Sequence, residues 1–130
     1  MLKQTPLNLV KNYRVTLQDL EKMLVNELGG EIQSLVLYGS IARGNYGPES
    51  DIDILVIIKN KESEDRAMDI SYGIDCANQT VTSLITYTED EIRNKILIIS
   101  PFIQTIIEEG RVLYDDGTWA KLSSSFGQKS

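Results

Sequence analysis

The stretch LVLYGSIARGNYGPESDIDILVII, residues 35–58, decides how this chain is read. Two apolar runs flank a Gly-Ser step, and the second run opens with two aspartates, Asp51 and Asp53. Length and β-branched content make residues 34–38 a strand, and a second strand runs from 50 or 51 to 58. Gly44, Gly47 and Pro48 reverse the chain between them, so the two strands lie side by side. Residues two apart in a strand share a face, so Asp51 and Asp53 project together while Ile52 and Ile54 point to the other side. Two like charges near a core repel and are costly to desolvate, and a cation relieves both penalties. Magnesium takes one or two such carboxylates and completes its shell with water and phosphate oxygens. Gly39 and Ser40 offer the complement: a turn opening a short helix through residues 41–43, with backbone N–H groups and a hydroxyl available to an anion. Gly39 lets the backbone approach without a Cβ.

Outward from this segment, Leu17, Leu20, Leu24 and Leu28 recur at helical spacing, with Thr16 as N-cap, Asp19 in the first turn and Gly29-Gly30 as the stop. Residues 66–77 place Ala67, Ile70, Ile74 and Ala77 on one helical face, and the acids of residues 62–65 suit the start of that helix. Residues 80–87 read as a third strand, and TEDE, residues 88–91, matches a capping box that starts a helix. Ser100, Pro101 and Gly110 bound another helix, whose Ile103, Ile106 and Ile107 are expected in the core, and residues 111–114 form a last strand. Residues 118–130, ending in KLSSSFGQKS, read as a frayed polar tail. The order α, β, β, α, β, α, α, β predicts an α/β (α+β) fold, a small mixed sheet with helices packed on it, as one domain over residues 1–117.

Composition removes several chemistries. The chain of 130 residues has no histidine, which excludes imidazole bases, histidine-dependent triads and histidine-ligated metals. One cysteine, Cys76, excludes an internal disulfide and is expected to pack as a small apolar residue. A net charge of -6 argues against a nucleic-acid partner, which needs clustered Lys and Arg. No apolar run reaches the roughly 20 residues of a membrane helix, and the first ten residues lack a signal-peptide pattern, so no membrane association and a cytoplasmic location are the expectation. Self-association, as a homo-oligomer, is left open.

Residues 39–53, GSIARGNYGPESDID, resemble the nucleotidyltransferase signature of the DNA polymerase β superfamily, and in particular of its small single-domain members, the minimal nucleotidyltransferases. That signature has a strand ending in Gly-Ser, an Ala-Arg-Gly segment, and Ser-Asp-x-Asp opening the next strand. VTSLITYTEDEI and IIEEGRVLYDD are more weakly similar to the family's third strand and its C-terminal helix and strand. The resemblance implies a nucleotidyltransferase fold in which Gly39 and Ser40 bind the β and γ phosphates and Asp51 and Asp53, the catalytic pair, ligate Mg2+. Arg43 is a candidate for steadying phosphate charge, with a surface salt bridge as its plain alternative. The substrate implied is ATP, or another NTP, whose AMP passes to an acceptor hydroxyl. A compact member of this kind resembles the antitoxin half of two-gene systems, which pairs with a helical HEPN-type toxin and adenylylates it.

One departure from the family motivates a second reading. Its members often carry a third carboxylate on the next core strand, but TVTSLITY, residues 80–87, holds none. Thr80 and Thr82 stand where one would be sought, and Asp75, Glu89 and Glu91 flank the strand. The alternative is therefore a nucleotide-binding or regulatory module without turnover. Transfer to a small molecule such as an aminoglycoside is weaker, since those enzymes usually add a substrate-binding domain. Tyr38 and Tyr46 could stack on a base, with simple packing as the default.

Overall fold

The computed structural model describes residues 10–97 and 100–127. Readings that fall on residues 1–9 and 128–130 lie outside them. The elements are α1 (Lys11–Leu28), β1 (Ile32–Tyr38), α2 (Gly39–Arg43), β2 (Ile52–Ile58), α3 (Glu64–Asn78), β3 (Thr82–Tyr87), α4 (Glu89–Leu97), α5 (Pro101–Glu109), β4 (Arg111–Asp115) and α6 (Thr118–Gly127). The sheet order is β3-β2-β1-β4. β1 is antiparallel to β2 and β4, whereas β2 and β3 are parallel. A parallel pair needs a crossover, and α3 supplies it. The mixed sheet with packed helices is the fold class the sequence predicts.

Helices cover both faces of the sheet. Ile52, Ile54, Val56 and Ile58 point from β2 into one core with Leu20 and Leu24 of α1, Leu35 and Leu37 of β1 and Ile74 of α3. Leu55 and Ile57 point into the opposite core with Val36, Ile92, Ile103, Ile106, Trp119 and Leu122. This two-sided burial explains why β2 reads as an unbroken apolar run. Each fully buried aliphatic side chain contributes about 1.5–3 kcal/mol, so the strand that carries the aspartates is the most firmly held element of the sheet.

Several local expectations change. α1 begins at Lys11 rather than near Thr16. Thr16 is fully buried and lies 2.9 Å from Thr80 Oγ1, so its hydroxyl serves a tertiary contact and not a cap. Cys76 is exposed, because the inward face of α3 is defined by Ala67, Ser71 and Ile74. The capping box is realised: the Thr88 amide donates to Glu91 Oε1 at 2.9 Å and the Glu91 amide to Thr88 Oγ1 at 3.3 Å. Pro101 opens α5 as expected, but the Ser100 side chain makes no cap hydrogen bond.

The largest correction concerns the tail expected at 118–130. Residues up to Gly127 form α6, in which Trp119 is 4% exposed and Leu122 is fully buried. Asp115 starts it, accepting from the amides of Trp119 at 2.9 Å and Ala120 at 3.0 Å, and Asp116 accepts from the Thr118 amide at 3.0 Å. Among the described side chains, Trp119 and Leu122 dock the helix on Val36 and Leu55, and the run Ser123–Ser125 beside them hides that apolar face.

Candidate active site

The site forms where β1 ends and β2 begins. Gly39 follows the last residue of β1 with φ +81, a backbone conformation that favours glycine. It opens α2, a single turn whose first amides are not consumed within the helix. Gly44 closes that turn with φ +82, and its amide donates to the Ile41 carbonyl at 3.1 Å. The return loop is fixed from outside by Tyr13, whose hydroxyl lies 3.1 Å from the Pro48 carbonyl and 3.2 Å from the Ser50 carbonyl. Ser50 Oγ accepts from the Gly47 amide at 2.9 Å. These contacts bring β2 back in a register that pairs Tyr38 with Asp53.

Asp53 and the Gly-Ser turn are in direct contact. A Cβ on Gly39 would overlap Asp53 Oδ2 and stand 3.2 Å from its Cγ. The glycine is therefore required twice, by its dihedral and by the carboxylate against it. Asp51 precedes β2 and is exposed, while Asp53 is half-buried. Burial raises the pKa of Asp53, the Asp51 carboxylate raises it further, and Arg43 opposes both. Tyr38, beside it on the sheet, is pushed up to about 12 by burial first and then by Asp53 and Tyr87. It therefore stays neutral and able to donate a hydrogen bond.

No ion-pair partner stands against Asp51 or Asp53 among the described residues. Arg43, whose field reaches Asp53, is engaged by Glu109, with Nη1 3.3 Å from Oε1 and both side chains about half exposed. The structure thus realises the salt bridge that the sequence offered as Arg43's alternative. The donor set fits a hard divalent cation: two oxygen ligands of like charge, one of them disfavoured in its charged form, beside a cradle that a Cβ would fill. No group of three or more His, Cys, Asp or Glu side chains is arranged to hold a metal among the described residues. A cation here would draw its remaining ligands from phosphate and water.

The position adjacent to Asp53 on β3 is Ser83, not Thr80 or Thr82. Thr82 points to the opposite face, where Asp75 Oδ1 accepts from Thr82 Oγ1 at 2.7 Å and from Thr80 Oγ1 at 2.7 Å. Asp75 is thereby committed to securing the start of β3. Glu91 serves the capping box at the far end of that strand, and Glu89 pairs with Arg93 at 2.5 Å and Lys121 at 3.1 Å. None of these acids joins the aspartates. Tyr46 packs on Tyr13 with ring centroids 5.3 Å apart, and Tyr38 meets Phe102 edge-on at 5.5 Å. Ser83 and Phe102 carried no signal in the sequence, because their nearness to the site depends on strand register and helix docking.

Comparison with known proteins places this geometry in a family. The nucleotidyltransferase domain model matches residues 18–114. The curated "Putative protein adenylyltransferase MJ0604" of Methanocaldococcus jannaschii is 34% identical over 109 residues, covering 79% of this chain and 99% of that protein. Among solved structures, a toxin-antitoxin crystallised with AMP-PNP aligns with a TM-score of 0.63 at 16% identity, over 87% of this chain and 85% of that one. A tri-AMPylated Shewanella oneidensis HEPN toxin in complex with MNT antitoxin aligns with a TM-score of 0.54 at 16% identity, over 89% of this chain and 87% of that one. At such identities the solved structures speak for the fold alone, whereas the family match spans most of the chain, Asp51 and Asp53 included. This chain belongs to the nucleotidyltransferase domain family and is a nucleotidyltransferase.

Proposed function

We propose that the chain is a magnesium-dependent adenylyltransferase that moves AMP from ATP onto a hydroxyl of a partner protein in the cytoplasm. The observation that carries this reading is the close approach of Gly39 to Asp53, with Asp51 two residues away and its charge felt at Asp53. It brings a phosphate cradle and a carboxylate pair within one nucleotide's reach. Gly39 and Ser40 hold the β and γ phosphates through backbone amides and the Ser40 hydroxyl. Asp51 and Asp53 would hold Mg2+, which when bound would supply charge neutralisation for an in-line displacement. Arg43 exchanges Glu109 for phosphate, a small cost because the exposed pair is worth about 1 kcal/mol or less.

A helical HEPN-type protein is the partner that best suits this reading, since MNT antitoxins of the same fold are found with HEPN toxins, one of them AMPylated. The curated relative's name points to protein, not a small molecule, as the acceptor class. Incubation of the chain with α-labelled ATP, magnesium and a helical protein encoded beside it tests the reading. Label on that protein, abolished by Asp51→Asn or Asp53→Asn, is the expected result. ATP binding with no label transferred would instead favour a nucleotide-binding module, the reading supported by Ser83 standing where a third acid would assist.

A further inference from the structure

α1 and α3 pack side by side over the sheet face to which Ile52 and Ile54 point, the face opposite Asp53. Between their outer sides runs an open groove of about 500 Å³. At one end Arg66 Nη2 lies 3.9 Å from Glu27 Oε1, and at the other Asn78 donates to Asp19 at 3.1 Å. From Arg66 to Ala77 the groove follows about three turns of α3, roughly 16 Å. Met23, Ile70 and Ile74 give it apolar walls, and Met23 is exposed. Gly73 stands within it, in the middle of α3. That glycine has no positive φ, and a Cβ added to it would meet nothing within 4 Å. Neither the helix nor the packing of this chain requires it, and a glycine inside a helix is less stable than an alanine. Its effect is to leave the backbone of α3 bare where another backbone can approach. Among the described residues that line the groove, Asp19, Glu27 and Asp69 are acidic and Arg66 alone is basic.

We infer that this groove docks an amphipathic helix of a partner protein, one with small apolar side chains on its buried face and Lys or Arg along its edges. The inference goes beyond the adenylyl-transfer reading, because the groove and Asp53 belong to opposite faces of the sheet. Two neighbouring helices present parallel ridges, and a third helix laid between them buries apolar surface against both. Met23, Ile70 and Ile74 supply that surface, and Gly73 lets the incoming backbone come close. The charge selects the partner. Asp19 and Asp69 have no ion-pair partner among the described residues, so Lys or Arg at the edges of the docked helix meets unanswered carboxylates. The net charge of -6 draws a basic segment toward the chain and works against a second copy of it.

The test uses two helical peptides of about four turns that share an Ala and Leu face and differ only in Lys or Glu at the flanking positions. Fluorescence anisotropy measures their affinity, amide hydrogen exchange locates them on the chain, and calorimetry follows ATP. The Lys peptide is expected to bind about tenfold tighter than the Glu peptide and to slow exchange in α1 and α3. Asp69→Asn should narrow that preference. Gly73→Leu, which fills the groove, should weaken the Lys peptide about tenfold, while Tm does not fall and ATP affinity holds within about twofold. Gly73→Ala should raise Tm, since the fold makes no use of the glycine. Equal binding of both peptides, binding of neither, protection confined to other elements, or a lower Tm in Gly73→Ala would overturn the inference. So would a dimer in sedimentation that Gly73→Leu dissociates, which gives the groove to a second copy of the chain.

Discussion

The two ends of β2 treat carboxylates in opposite ways. At its start, Asp51 and Asp53 stand two residues apart, a glycine backbone presses on one of them, and burial with the neighbouring charge raises the pKa of Asp53. Beyond its end, Glu64 and Glu91 each have a donor. Glu64 accepts from Thr86 Oγ1, Lys61 donates to the Thr86 carbonyl at 2.6 Å, and Lys61 Nζ lies 3.4 Å from Glu91 Oε1. The pKa of Glu91 is lowered, first by its hydrogen bond from the Thr88 amide and then, against burial, by Lys61. Around Glu64 and Glu91 the chain settles its charges internally, whereas Asp51 and Asp53 stand as like charges with no ion-pair partner among the described residues. Stability and function are thus placed at opposite ends of one strand.

Removing a carboxylate from each end should separate these roles most sharply. Asp53→Asn is expected to lower AMP transfer by about 10²-fold or more, the scale of losing one group that stabilises developing charge. Glu91→Gln should leave transfer within about twofold, as measured by label incorporation. A Glu91→Gln loss as large as that of Asp53→Asn would erase the contrast.

The Gly39 turn gives the next largest effect, with Gly44 as its control. Both have positive φ, +81 and +82, so alanine at either costs about 1–2 kcal/mol of strain. Only at Gly39 does the added Cβ strike Asp53; around Gly44 there is nothing within 4 Å. Calorimetry should therefore show ATP affinity falling about tenfold or more in Gly39→Ala and little change in Gly44→Ala.

At the settled end, Thr86 is 3% exposed and its hydroxyl serves both Lys61 and Glu64. Thr86→Val keeps the shape and removes the bonds, so denaturation should report a loss of about 1–3 kcal/mol with transfer unchanged.

The smallest difference is in pH dependence, where the two ends have opposite sign. The folded-state pKa of Asp53 lies above its ordinary 3.8, so the metal-free protein loses stability from this group as pH rises through that raised value. Asp53→Asn should raise Tm at neutral pH and make no difference in strong acid. Glu91, lowered from 4.5, contributes stability above that value and loses it as pH falls through its folded pKa. Glu91→Gln should lower Tm at neutral pH, the gap closing in acid. Both effects stay below about 1 kcal/mol, since solvent still reaches and screens both carboxylates. Thermal melts at several pH values read the sign directly.

Much of this was legible along the chain because it is local. The apolar run of DIDILVII announced its strand, TEDE its capping box, and Gly39-Ser40 the end of β1. What escaped was long-range. Trp119 and Leu122 look unremarkable in a serine-rich segment until Val36 and Leu55 are there to receive them. Thr16 resembles a cap until Thr80, far along the chain, supplies its partner.

The sequence by itself determined the two carboxylates, the glycine turn before them and the strand that carries them, since residue type and spacing govern what happens within one element. Only the tertiary structure decided that Gly39 touches Asp53, that Ser83 and not Thr82 shares its face, and that Arg43 is held by Glu109. Those facts depend on which strands become neighbours and in what register. Burial of both faces of β2 sets that, and no short stretch of sequence contains it.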